Sequence, residues 1–438
     1  VASRRIVFCL CFSICFLVYK RQMALRRAWL AAAAAACILL ALPASQAAVS
    51  SVVTKWINIA QTSVKDLGVE HQQAARLYAT VASAQYDAIK AAKASTVTIS
   101  EEAAAAYASH FVLSNFFDWR QSYDYDPVLA AQVNALGLSD ADLEVLKSVL
   151  LPVVKAILNK RLCDGSSSFA NFKPGDSSVL GLYQFTPNQT TVHYPQVAYA
   201  TGFYLASKDI DVFTAKLKHF NLSDPEYAKQ LKETFSLGSV ISANRSAYDT
   251  GSVFFWAQGY GTSTLAGFWI NVALEALPAS TPLIVQARFL KLLTTSFWDT
   301  AIACWRVKFG EQFWRPITAI RNKHSAGVYD PTWTPLITTP IDPEYVSSHM
   351  CTTGAALYVL ESHLNATTGF SASSLSAPEV GKRSYTSFRE AALEVGMSRI
   401  YGGVHFRKSN KDGMDLGYAI AKKIHTRFFK GSTLNDLF

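Results

Sequence analysis

The sequence predicts an all-α protein of helical bundles joined by long irregular connections. Half of its 438 residues are hydrophobic and 12% are aromatic, enough apolar side chain for one large core or two packed ones. Signals for helix starts recur along the chain, whereas the alternating patterns of half-buried strands are scarce. Bundled helices explain both observations.

Three helix starts can be read directly. Ser100 precedes two glutamates, and Ser139 precedes Asp-Ala-Asp; a serine accepts free backbone N–H groups, and acids complement the helix dipole. Thr281 is read as a third cap before Pro282, because proline is favoured at the first helical position. No Gly or Pro interrupts residues 283–309, so the third helix should be long.

The composition of the chain predicts where its irregular connections lie. Stretches rich in Gly, Pro and Ser at 164–178, 183–195 and 325–343 predict irregular connections. We divide the mature chain into an N-terminal helical part, 48–240, and a C-terminal helical part, 241–438, although no change in composition marks that boundary.

Residues 1–47 are interpreted as a signal or presequence, with Met23 as the expected start. Two arginines precede the apolar run 28–42, and Ser45 and Ala47 are small residues at the positions required for cleavage before residue 48. The run is shorter than the roughly 20 residues of a membrane span. We therefore expect a secreted protein without stable membrane insertion; a membrane anchor is the alternative.

Net charge and cysteine content exclude other classes. Six of the nine net positive charges lie in residues 1–47, and the rest of the chain has no dense basic cluster, so nucleic acid is not an expected partner. Only Cys163, Cys304 and Cys351 lie beyond residue 47, too few for a disulfide framework or a cysteine-rich zinc site.

Cationic and imidazole residues concentrate in three segments of the C-terminal part. The first contains Lys308 and Arg315, which would share a face if one helix continued through both, although Gly310 weakens that assumption and Pro316 ends the segment. The second contains Ser347, Ser348 and His349 at an apparent helix start. The third contains Arg399 and, after Gly402-Gly403, His405; the segments are 305–316, 343–354 and 398–405.

Each segment alone has an ordinary structural explanation: basic side chains that reach solvent from an amphipathic helix, a serine cap beside a surface histidine, or a glycine turn. Together they predict an oxyanion pocket. Lys308, Arg315 and Arg399 supply positive charge, and hydroxyls at a helix N-terminus supply neutral donors. The two histidines would contact the central atom and transfer protons. No acidic cluster is positioned for a divalent cation, so the expected ligand is phosphate or a mimic of it.

Three ordered motifs, Lys308-x6-Arg315-Pro316, Ser347-x-His349 and Ser398-Arg399-x3-Gly403-x-His405, resemble the signature of the vanadium-dependent haloperoxidases. The type 2 phosphatidic acid phosphatase superfamily shares that signature. Further segments resemble the chloroperoxidase-like branch; they include 74–78, 86–88, 298–302 and 313–321. The resemblance implies two four-helix bundles and one vanadate per chain as the only cofactor, with no nucleotide and no haem.

The resemblance also implies roles for these residues. His405 would be the vanadium ligand and a catalytic residue. Lys308, Arg315, Ser347, Ser348 through its backbone N–H, and Arg399 would hold the vanadate oxygens. His349 would be the acid–base residue, and Lys308 would polarise peroxide. The implied reaction is oxidation of halide by hydrogen peroxide to hypohalous acid, which halogenates small organic acceptors.

Two departures from the signature keep alternatives open. Val346 and Ser348 stand where proline and glycine are usual, so a degenerate, non-catalytic member of the superfamily is one alternative. The other is an acid phosphatase that acts through a phosphohistidine at His405. Many phosphatase relatives carry an aspartate four residues after this histidine; Ser409 stands there, and the nearest acid is Asp412, which disfavours this alternative.

Overall fold

The structure, a computed structural model, describes residues 51–430. The interpretation of residues 1–47 as a presequence falls outside them. The described residues form 14 α-helices. These are α1 (Val52–Leu67), α2 (His71–Ala94), α3 (Glu101–Phe116), α4 (Asp126–Ala135), α5 (Asp140–Leu162), α6 (Ser207–Thr214), α7 (Pro225–Gly238), α8 (Ala247–Phe255), α9 (Thr264–Ala276), α10 (Leu283–Glu311), α11 (Pro316–Ile320), α12 (Ser348–His363), α13 (Phe388–Tyr401) and α14 (Arg407–Phe428).

The prediction of an all-α fold with irregular connections is confirmed. The connections predicted at 164–178, 183–195 and 325–343 contain no α-helix. Within the described part of the chain, strands are limited to one antiparallel pair, β1 (Phe370–Ala372) and β2 (Arg383–Tyr385). No helix between residues 51 and 430 is both long and apolar enough to cross a membrane.

Two of the predicted helix caps have the expected geometry. The Ser100 side chain accepts a hydrogen bond from the backbone of Ala103, and Ser139 forms a capping box with Asp142. The third cap is wrong by one residue. Pro282 occupies the cap position of α10 and has no side chain that can accept a hydrogen bond, while the Thr281 hydroxyl donates to the Pro278 carbonyl.

The helices pack in two groups that share a long contact. Helices α1, α2, α3 and α5 pack against one another, and α10, α12, α13 and α14 form the second group. The extended α10 also packs along α2, so it belongs to the interface between the groups. The boundary drawn near residue 240 stays a prediction.

Glycines allow α12 to lie unusually close to α14. A Cβ atom on Gly354 of α12 would lie 2.1 Å from the Met414 carbonyl oxygen, and one on Gly417 of α14 would lie 2.0 Å from that of Cys351. Only glycine is compatible with such distances. This close contact places the N-terminus of α12 beside the loop that precedes α14.

Candidate functional site

The end of α10 and the turn after it carry the two cations of the first segment. Lys308 lies in the last turn of α10, which ends at Glu311, and Gln312 adopts a left-handed conformation with φ of 48°. The chain then reverses, and Arg315 precedes α11. The two cations therefore do not share a helix face, contrary to that interpretation of their spacing; the turn brings them together. Neither side chain is exposed.

A carboxylate that the sequence analysis missed joins these cations. One oxygen of Asp342, Oδ1, lies 2.7 Å from Lys308 Nζ and 2.9 Å from Arg315 Nη2. Burial would raise the pKa of Asp342, but the two cations outweigh burial and hold this pKa below its ordinary value. Lys308 Nζ also donates to the Pro343 carbonyl at 2.6 Å. The cations thus hold the segment that leads to α12.

His405 lies in the loop between α13 and α14 and is 1% exposed. The preceding Gly403 has φ of 74°, and a Cβ there would lie 2.5 Å from the Gly238 carbonyl oxygen. The Gly-Gly pair therefore permits a close backbone approach, and the partner in that approach is the end of α7.

The hydrogen bonds of His405 define its tautomer. Arg315 Nη1 lies 3.2 Å from His405 Nε2. Because a guanidinium can only donate, Nε2 must carry a lone pair and the proton must be on Nδ1. Nδ1 lies 2.9 Å from Glu344 Oε1, which accepts that proton's hydrogen bond. Nε2 therefore carries the lone pair that a metal ligand or a nucleophile needs, and in this structure Arg315 donates a hydrogen bond to it.

Glu344 is the second buried carboxylate of the site. Its Oε1 also accepts a hydrogen bond from the backbone of Phe406 at 3.1 Å. Burial raises the pKa of Glu344 to about 7, against the opposing effect of Arg315. Burial and the charge of Arg315 lower the pKa of His405 well below its ordinary value, so the imidazole is neutral. Ser409 stands where phosphatase relatives carry an aspartate, but Glu344 contacts His405 Nδ1 instead, and Asp412 pairs with Lys408.

The serine at the start of α12 does not act as a helix cap. Ser347 occupies the cap position, but its side chain makes no capping hydrogen bond. Its Oγ is buried and has no partner among the described residues. Ser348 and His349, both half-buried, follow in the first turn. His349 Nε2 donates to the Ala257 carbonyl at 3.2 Å, which leaves Nδ1 as an acceptor.

Arg399 approaches from the last turn of α13 and is 2% exposed. Its Nε is buried without a partner in the described part of the chain. Burial and the charge of Arg315 lower the pKa of Arg399 to about 9. Burial is the main cause of the lowered pKa values of His349 and His405, and the charge of Arg399 lowers both further.

The structure thus brings the residues of all three segments to one buried site; their roles stay predictions. Sequence reasoning missed Asp342, Glu344 and His71, whose ring lies 5.8 Å from that of His349 between centroids. Glu344 stood inside the second segment, directly after Pro343, and an acid three residues before Ser347 was the available signal. His71 lies more than 230 residues before the first of the three segments and had no such signal.

The donor set fits a small oxyanion such as vanadate or phosphate. Ser347 Oγ and Arg399 Nε are buried donors that lack partners within residues 51–430, and such groups are costly unless something accepts their hydrogen bonds. The carboxylates reduce the expected positive charge. Three cations face Asp342 and Glu344, so the surplus is one charge, or two when Glu344 is protonated. That surplus suits a monoanion or a dianion.

Comparisons with known proteins show what the fold of this chain is similar to. Residues 288–431 match the family model for the VCPO second helical-bundle domain. The solved structure of the first bacterial vanadium-dependent iodoperoxidase matches with a TM-score of 0.74 at 22% identity, over 86% of this chain and 95% of that one. The apo form of a bacterial vanadium-dependent chloroperoxidase matches with a TM-score of 0.62 at 14% identity, over 90% and 98%. A comparison with curated proteins gives no significant match.

The chain is therefore a vanadium haloperoxidase-like protein in its fold. The matched family domain contains almost all of α10 and the whole of α11 to α14. Those helices and their connections carry Lys308, Arg315, Ser347, Arg399 and His405.

Proposed function

We propose that this protein is a vanadate-dependent haloperoxidase that oxidises halide with hydrogen peroxide to hypohalous acid. The observation that supports it is a buried, cation-lined site in which His405 presents an unprotonated Nε2. Vanadate, when bound, supplies a Lewis-acid centre that activates peroxide. Small organic molecules would be the final acceptors of the halogen.

The position of each residue in the site determines its proposed role. His405 Nε2 is the ligand to vanadium, and Glu344 keeps its other nitrogen protonated. Arg315, Arg399 and Ser347 donate to the anion's oxygens, and the backbone N–H of Ser348 adds a donor from the start of α12. Lys308 keeps the Asp342–Glu344 segment in place and adds positive charge for the polarisation of peroxide.

His349 is positioned to exchange protons. Burial and the charge of Arg399 lower its pKa well below the ordinary value, so the imidazole is neutral and carries its lone pair at Nδ1. A neutral imidazole can remove a proton from an incoming hydroxyl group and return it later.

A second candidate, an acid phosphatase with a phosphohistidine at His405, is favoured by one observation. A nucleophilic histidine needs a group that holds its Nδ1–H, and Glu344 supplies a buried carboxylate at 2.9 Å. In that reaction His349 would protonate the leaving group. A degenerate member without catalysis is the third possibility, because Val346 and Ser348 replace the usual residues.

One assay separates these functions. The purified chain is given vanadate, peroxide and each halide in turn, and separately a phosphate monoester without vanadate. Halogenation of an organic acceptor only in the presence of vanadate supports the haloperoxidase. Ester hydrolysis that vanadate inhibits would instead support the phosphatase, and no activity in either assay would support the degenerate protein.

We also propose export of the protein through residues 23–47, on the signal-like pattern of their sequence. Expression of the whole chain in a secreting host, with N-terminal sequencing of the secreted protein, tests this proposal. A new N-terminus at residue 48 is expected; retention of the chain in the membrane fraction would contradict it.

A further inference from the structure

A large cavity lies between α7, α13 and α14, apart from the oxyanion site. Its volume is about 950 Å³, within the range of about 300–1,000 Å³ that is usual for small-molecule sites. None of the residues assigned to the oxyanion site lines it. The first turn of α14 separates the two sites, because Ser409 Oγ lies 3.4 Å from His405 Nδ1, whereas Lys408 and Asn410 line the cavity. A molecule bound in this cavity would therefore occupy a second site.

The wall of the cavity is apolar and rich in methionine. All three methionines in the described part of the chain line it: Met350 from α12, Met397 from α13 and Met414 from α14. Leu393 and Ile400 extend the same wall. A methionine side chain is flexible and polarisable, so it adapts to the shape of a ligand and makes favourable contacts with aromatic rings. Such a wall suits an aromatic molecule.

The charged side chains of the cavity balance one another. Three basic residues line it, and each pairs with a carboxylate: Arg407 with Glu233, Lys408 with Asp412 and Lys411 with Asp415. Counted among the lining residues alone, these three bases face three acids, namely Asp224, Glu226 and Asp412. The cavity therefore offers no surplus charge to an ion, and its ligand should be neutral.

One buried polar group gives the cavity a hydrogen-bond requirement. Asn410 is 6% exposed, and its Nδ2 donates to the Gly396 carbonyl at 2.7 Å, which fixes the orientation of the amide. Its Oδ1 is buried and has no hydrogen-bond partner within residues 51–430. An acceptor in this state is costly, so a ligand that donates a hydrogen bond to it is favoured.

The neighbour of this amide is a side chain that can move. A Cβ on Gly396 would lie 3.5 Å from Met350 Sδ and 3.9 Å from Asn410 Cβ, so the three residues meet in one place. Because methionine is unbranched and has three rotatable bonds, Met350 can shift and expose Asn410 Oδ1 to the cavity.

We propose that this cavity is a second binding site, which takes a neutral aromatic molecule with one O–H or N–H donor. The three methionines contact the ring, and Asn410 Oδ1 accepts the hydrogen bond. No bond forms or breaks there. The proposal does not depend on the proposed haloperoxidase function, because it concerns binding to a site that contains none of the residues assigned to that reaction.

The first test compares two probes, naphthol and its methyl ether, of which only naphthol can donate a hydrogen bond. Equilibrium dialysis against vanadate-free protein, without peroxide, measures both affinities. In Asn410→Leu the ratio of naphthol affinity to ether affinity should fall about fivefold, as expected for one lost neutral hydrogen bond. The control is Asn115→Leu, because Asn115 Nδ2 also donates to a backbone carbonyl, that of Phe111 at 2.8 Å, but this residue does not line the cavity.

A ratio that N410L leaves unchanged would overturn the proposal, because Asn410 would then not select a donor. The same holds if the natural protein binds neither probe. Using the ratio within each variant removes any general effect of the substitution on the shape of the cavity.

A second variant tests the apolar wall without the amide. Met397→Glu places a carboxylate on that wall and should weaken the binding of both probes at least tenfold. Leu162→Glu is the control, because Leu162 is 76% exposed and lies outside the cavity. Undiminished binding to M397E would overturn the proposal. Sedimentation of the natural protein and M397E tests the competing occupant: a dimer that M397E separates into monomers, without naphthol binding, would assign the cavity to a second copy of the chain and overturn the proposal as well.

Discussion

His405 Nδ1 lies 2.9 Å from Glu344 Oε1, and both side chains are 1% exposed. This contact joins the loop before α14 to the segment before α12, 61 residues apart in sequence. With the Nδ1 proton held there, the tautomer of His405 presents its Nε2 lone pair to the centre of the site.

Replacement of Glu344 should weaken vanadate binding. In Glu344→Leu the Nδ1 proton of His405 loses its acceptor, and loss of such an orienting partner costs about 10- to 100-fold in affinity. Glu344→Gln keeps an acceptor oxygen and should lose less. Equilibrium dialysis with measurement of protein-bound vanadium checks this, with Ser409→Ala, whose Oγ is 3.4 Å from Nδ1, as the control. Full vanadate affinity in the leucine variant would contradict the assignment of Nε2 as the ligand.

Ser347→Ala should reduce anion affinity without loss of stability. A serine that caps a helix contributes about 1 kcal/mol, but Ser347 makes no capping bond. A hydrogen bond to a charged group contributes about 1.5–3 kcal/mol, so vanadate or phosphate should bind at least tenfold more weakly. Denaturant unfolding and anion titration measure the two effects. Ser139→Ala removes a true cap and should show the opposite pattern; a destabilised S347A with normal affinity would return Ser347 to a structural role.

Removal of Asp342 should destabilise the protein in the absence of anions. Asp342→Ala leaves Lys308 and Arg315 buried without their shared carboxylate, and loss of one partner of a buried pair costs about 3–5 kcal/mol. The larger positive surplus should make added phosphate stabilise this variant more than the natural protein. Unfolding with and without phosphate tests both statements. The control is Asp415→Ala, which breaks an exposed pair with Lys411; equal effects of the two variants would be inconsistent with this account.

Acid should destabilise the protein between pH 6.5 and about pH 4. Burial lowers the pKa of His71 and of His363 to about 4, so the unfolded chain binds protons in this window that the folded chain does not. The contribution of these histidines to the free energy of unfolding is therefore fully present above pH 6.5. It falls as pH falls, by about 1.4 kcal/mol per pH unit for each such histidine. Burial raises the pKa of Glu344 to about 7 and that of Asp299 to about 6, and these two groups act in the opposite direction. The histidines whose pKa values are lowered outnumber these two carboxyl groups. These histidines include His71, His349, His363 and His405.

Free energies of unfolding measured across that window check the slope. His363 lies outside the oxyanion site, and its Nδ1 contacts the Val359 carbonyl. His363→Gln should therefore reduce the dependence of the free energy of unfolding on pH by the equivalent of one proton and leave anion binding unchanged. Stability that rose with acid, or a slope unaffected by H363Q, would be incompatible with neutral buried histidines.

The sequence alone was sufficient for the fold class and for the three segments that the fold brings together. Helix periodicity and caps are local, so Ser100, Ser139 and the uninterrupted run after Pro282 could be read without the folded chain. The motifs around Lys308, Ser347 and Arg399 are local in the same sense, and they were found by residue type and order.

Only the tertiary structure decided which groups pair and what charge the site carries. The turn at Gln312, the close contact of α12 with α14, and the loop around His405 bring together segments far apart in sequence. Asp342 and Glu344 therefore act on side chains that sequence distance does not associate with them, and burial changes their pKa values in opposite directions. Electrostatic interactions and desolvation depend on distances in space and on exclusion of water, and neither quantity is encoded in the local pattern of residues.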